Sequence, residues 1–172
     1  MRRLTALTLS VLAVGLAACQ GSVADPVGDA VDVEFGDVDI VEAGVDYRTD
    51  TTRLWVRYAP GEGPAEATGW QISVDGDPVA EATAVIGSRY CCAPDRDRYY
   101  VTTLSSGASR CTGYVREQGF DGEDTVSLSF DSRCLLATGY ERLPDSLRIK
   151  GYTESGRQSG DETAWTGTVP RL

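Results

Sequence analysis

Two cysteines stand side by side in the stretch Ser88-Arg-Tyr-Cys-Cys-Ala-Pro-Asp-Arg-Asp-Arg-Tyr-Tyr100, and two more, Cys111 and Cys134, follow. Sulfur in that number supports thiol–disulfide exchange, metal binding or structural cross-linking. Exchange centres space their cysteines Cys-x-x-Cys and zinc sites use two close pairs; this chain has neither pattern. It contains no histidine, and its one methionine is Met1. The soft ligands after Met1 are therefore cysteine sulfurs alone, and no metal or cofactor is expected. An even number of cysteines in an exported domain reads as a disulfide framework. Adjacent strand residues point to opposite faces, and a bond between neighbours closes a strained ring. Cys91 and Cys92 are thus expected to leave in different directions, one to Cys111 and the other to Cys134, with the pairing open.

The missing histidine also removes every Ser-His and Cys-His nucleophile pair and the commonest general base. A Ser–Lys dyad could use only Lys150 in the exported part, and alternation places it on the polar face of a strand. Carboxylates remain: Asp95/Asp97, Glu123/Asp124 and Asp161/Glu162 are neighbours that a glycan hydrolase could employ. In a chain with 26 acidic residues, solvated surface explains such neighbours more simply. The turns Asp75-Gly76-Asp77 and Asp121-Gly122-Glu123-Asp124 cluster oxygens as calcium requires, yet neither matches a twelve-residue calcium loop. Turn chemistry accounts for both without an ion.

One segment has the composition of a contact. Asp95, Arg96, Asp97, Arg98 and Tyr99 follow directly on the paired cysteines, and a cross-linked loop loses less entropy on binding. Arginine and tyrosine are enriched at interface hot spots. The competing and simpler reading is a solvent-facing tip whose alternating charges pair internally.

The N-terminus supplies the compartment. Arg2 and Arg3 precede an apolar run from Leu4 to Gly15, too short to span a bilayer but suited to a secretory signal. Leu16-Ala17-Ala18-Cys19 then resembles the lipobox of bacterial lipoprotein precursors. That resemblance implies cleavage before Cys19, lipidation of its sulfur and N-acylation in many bacteria. With Gln20 next, it further implies sorting to the outer membrane where the host has one. Residues 1–18 are expected to be a signal peptide, 19–30 a lipidated, flexible tether, and 31–172 one domain. Several acyl chains on one cysteine anchor stably, whereas one is marginal.

A net charge of −10 disfavours nucleic acid and anionic headgroups as ligands of the domain at large. Its elements read as strands. Period-two alternation recurs at Val31–Phe35, Leu54–Tyr58, Trp70–Val74, Val126–Phe130 and Leu147–Lys150, and a closing strand is expected over 163–169. Asp75-Gly76 marks a hairpin into the run Val79–Ile86. The expected fold is all-β, a two-sheet antiparallel sandwich with the immunoglobulin arrangement as its nearest analogy, stapled by two disulfides. The expected role is a lipid-anchored, non-catalytic module of the cell envelope. It would touch a protein or glycan partner through its loops; the alternative is a small carboxylate-dependent envelope enzyme.

Overall fold

The computed structural model describes residues 20–26, 38–61, 67–75, 82–87, 100–103, 115–120, 124–138, 141–155 and 158–172. Among them run the strands β1 (Gln20–Ala24), β2 (Ile40–Tyr47), β3 (Thr51–Tyr58), β4 (Ala67–Val74), β5 (Ala82–Gly87) and β6 (Tyr100–Thr103). After these come β7 (Val115–Phe120), β8 (Thr125–Asp131), a 3-10 turn at Ser132–Thr138, β9 (Ser146–Ser155), β10 (Gln158–Glu162) and β11 (Val169–Pro170). All pairings are antiparallel and form two sheets. The first has the order β1-β2-β3-β8-β7; the second is β10-β9-β4-β5-β6, with β11 also on β9.

Alternation builds the core. Leu54, Val56 and Tyr58 of β3, Val126, Leu128 and Phe130 of β8, Trp70, Ile72 and Val74 of β4 and Leu147 and Ile149 of β9 merge into one buried cluster. The sheets approach closely at Gly151 of β9, where a Cβ would meet Ala43 Cβ at 2.8 Å and Val56 Cγ2 at 2.9 Å. Any larger residue there would force the sheets apart. Polar links also cross the core: the Tyr58 hydroxyl bonds the Thr68 hydroxyl, and Trp70 Nε1 donates to the Trp55 carbonyl at 3.3 Å.

Two expected boundaries are corrected. The reading of 19–30 as tether fails over Gln20–Ala24, which pairs residue by residue with Asp46–Glu42 of β2. Packing favours this strand despite its polar composition: Val169 lies over Gly21, and Val23 packs against the core. Sheet structure therefore begins at Gln20, ahead of residue 31. The closing strand expected over 163–169 shrinks to Val169–Pro170. Before it, Thr163 and Thr166 N–H still bond to the Gly151 and Ile149 carbonyls, but threonine hydroxyls take the place of the returning carbonyls: Gly151 N–H donates to Thr163 Oγ1 at 3.1 Å and Ile149 N–H to Thr166 Oγ1 at 3.0 Å. The run Val31–Phe35 lies outside the described residues.

At the end of the domain marked by the β2–β3 turn, Tyr47 is fully buried and its hydroxyl donates to the Pro144 carbonyl at 2.7 Å. Burial, with Asp75 and Asp145 nearby and partly offset by Arg171, pushes this phenol up from 10.0 to about 12. Unfolding releases it to ionise near 10, so its contribution to stability is intact below about pH 10 and lost between about 10 and about 12. Alkaline urea titrations should show that slope, and Tyr47→Phe should remove it while costing about 1 kcal/mol at neutral pH.

Candidate functional site

The sequence candidates separate once they are placed. Cys134 sits buried in the 3-10 turn and is disulfide-bonded, while Cys91, Cys92 and Cys111 lie outside the described residues. Asp95, Arg96, Asp97, Arg98 and Tyr99 lie outside them as well, as does Cys19. The strands that bracket 88–99 end together, since Gly87 pairs with Ala67 and Tyr100 with Val85.

The carboxylate pair Asp161/Glu162 diverges, as neighbours on a strand do. Asp161 is buried; its Oδ2 accepts the Ile40 N–H at 2.6 Å and its Oδ1 the Glu162 N–H at 2.8 Å. The Glu162 side chain lies outside, 2.5 Å from Lys150 Nζ. This pair cannot share a glycosidic bond, and Lys150 is committed to an ion pair. Asp124 accepts a hydrogen bond from the Thr125 hydroxyl, and Asp75 accepts the Asp145 N–H. Asp75, after the last residue of β4, holds a positive φ of 50°. Among the described residues no three metal-ligating side chains converge.

A surface emerges instead on the outer face of the first sheet. Trp55 of β3 is half-buried and pairs with Gly44 of β2 on one side and Ser127 of β8 on the other. A Cβ at Gly44 would fall among the indole atoms Cζ2, Cε2 and Nε1, so the ring lies across the glycine backbone. Only glycine permits this approach. The indole packs on the sheet at Gly44 and keeps only part of its surface accessible.

Arg53 and Arg57, two residues to either side on the same face, are exposed. Arg57 donates through Nε and Nη2 to Glu42 Oε2 at 3.3 and 2.7 Å. Arg48 donates through Nε to both Asp46 carboxylate oxygens, at 3.2 and 3.1 Å, and that carboxylate raises the arginine pKa further. The result is a flat aromatic surface framed by planar hydrogen-bonding groups of both charges. Such a frame has the groups to stack against a flat ligand and to hydrogen-bond it.

The signal for this surface stood in the sequence as Arg53-Leu-Trp-Val-Arg57, an aromatic at an outward strand position. Its glycine partner was hidden because β2 did not read as a strand. Compared with family models and with curated proteins, the chain matches none.

Proposed function

We propose that this protein is a lipid-anchored, non-catalytic binding module of the cell envelope, and that its ligand is a glycan taken on the Trp55 surface. The observation that supports the reading is the half-buried indole laid on Gly44 between the exposed Arg53 and Arg57, with Glu42 and Asp46 beside it. The apolar face of a sugar ring stacks on an indole as other flat, partly apolar groups do, and its hydroxyls suit guanidinium and carboxylate partners. The anchor in this reading is Cys19, lipidated after removal of 1–18, and the frame is an antiparallel sandwich. Two disulfides brace it, joining Cys91 and Cys92 to Cys111 and Cys134 in one of the two crossed pairings. The segment 95–99 serves as a second contact, with a protein partner.

Two measurements test this. Tryptophan fluorescence titrated with soluble cell-wall glycan fragments should saturate for the native protein. Affinity should fall about tenfold, or ~1.4 kcal/mol, for Trp55→Ala, and less for Arg57→Ala. Equal binding by Trp55→Ala, with its fold verified by circular dichroism, removes this surface from the reading. Alkylation of the unreduced protein should modify none of Cys91, Cys92, Cys111 and Cys134; labelling of two or more would refute the paired framework.

A further inference from the structure

We propose that the end of the domain at the β2–β3 turn is seated directly on the phosphate-bearing headgroups of the bilayer that holds the anchor. This rests on the lipidation of Cys19 and adds to it an orientation and a lipid-contact surface.

Consecutive Cα atoms are about 3.8 Å apart, so whatever is attached at Cys19 emerges within about one residue of Gln20. Gln20 is fixed by its pairing with Asp46, the residue before Tyr47 at the end of β2. An anchor on Cys19 therefore joins the domain with no slack, and the β2–β3 end has to meet the lipid.

That end is built from both sheets and is tied together. The turn closes through Arg48 N–H to the Thr51 carbonyl, and Thr49 N–H reaches the carbonyl of Leu172. Leu172 N–H returns to the Tyr47 carbonyl, and Ser132 Oγ donates to the Arg48 carbonyl at 2.6 Å. Arg171 N–H bonds the Asp145 carbonyl.

The side chains suit a phosphate surface. Arg48, Arg133 and Arg142 are 53%, 68% and 81% exposed. Their carboxylate partners are Asp46, Asp131 and Asp145, and Asp145 is shared with Arg171. Arg53, opposite Asp46, and Asp50, Asp75 and Glu141 are further charged groups at this end, which holds six carboxylates to five guanidiniums, and Asp75 is occupied by the Asp145 N–H. A guanidinium has five N–H donors, so one carboxylate leaves donors for a lipid phosphate.

At the other end of the same strands the described charges include Asp39 and Asp124, whose carbonyls accept the N–H groups of Ala59 and Tyr58. Among the described residues Arg48, Arg133, Arg142 and Arg171 lie at the β2–β3 end, and Arg57 lies toward the other. With this seating Trp55, opposite Gly44, stands two residues or about 7 Å further from the lipid than Asp46. The strand ends that bracket 88–99 point away from the membrane.

The test uses the acylated protein purified from membranes and reconstituted in a supported bilayer of phosphatidylethanolamine and phosphatidylglycerol. Neutron reflectometry should show protein density beginning at the headgroups with no water layer between. The Arg133→Glu, Arg142→Glu double variant, changed only at exposed sites, should stay folded and acylated yet show a hydrated gap or a tilted layer. An acylated native protein separated from the headgroups by water, or lying on the Trp55 face, would overturn the seating and leave the anchor standing. An intact mass without acyl groups at Cys19 would overturn both.

Discussion

Replacing Trp70 with alanine is expected to lower the unfolding free energy by about 3–5 kcal/mol and the melting temperature by about 8–16 °C. Trp70 heads the largest fully buried side chains and lies in the middle of β4, between β5 and β9. It is paired with Gly151, where β9 lies close to Ala43 and Val56. The indole N–H reaches the Trp55 carbonyl of the facing sheet at 3.3 Å. Alanine would create a cavity where the two sheets join and leave that carbonyl without its cross-sheet donor. Trp70→Phe keeps most of the volume and loses the hydrogen bond, so a cost of about 1–2 kcal/mol is expected. Urea unfolding followed by far-ultraviolet circular dichroism measures both. A loss below about 1 kcal/mol for Trp70→Ala would contradict the arrangement of the core.

How much of this was legible follows from which residues obey alternation. β3, β4, β8 and β9 could be read because their inward residues are large and apolar: Leu54, Val56, Trp70, Ile72, Leu128, Phe130 and Ile149. β2 was not legible for two reasons. A bulge between Ile40 and Glu42 shifts its period, and Gly44 occupies an outward position that ordinarily carries a polar side chain. Its role depends on Trp55, a residue on another strand, and cross-strand pairs are invisible in linear order.

β1 was hidden for a similar reason. Gln20-Gly-Ser-Val-Ala24 has the composition of a linker, and what orders it is an open sheet edge together with Val169 from the far end of the sequence. Over 163–168 the opposite error arose. Thr163 and Thr166 suggested a strand, but they act through their hydroxyls on the backbone of β9. The Trp55 surface was half legible: its arginine-flanked aromatic could be read, and the glycine that lays the ring flat could not.

Asp161→Ala is expected to cost about 3–5 kcal/mol, whereas Glu162→Gln beside it should stay within about 0.5 kcal/mol. The contrast follows from where each carboxylate points. Asp161 is 5% exposed and accepts the Ile40 N–H across the sheets at 2.6 Å. Ile40 opens β2 at its bulge, so alanine would strand a buried N–H that the ladder does not serve. The backbone on both sides of Asp161 is also held, by Thr153 Oγ1 at 2.9 Å and by the aspartate's own bond to Glu162 N–H. Asp161→Asn retains one acceptor oxygen and should recover roughly half of the loss.

Glu162 contributes one ion pair at a half-exposed site, and such pairs contribute little. Stability curves for the three variants separate a structural role from a catalytic one. A carboxylate dyad would tie both residues to activity with modest effects on folding. A large folding effect confined to Asp161 identifies it as the clasp between β10 and β2. That clasp holds the strand edge on which β1 pairs.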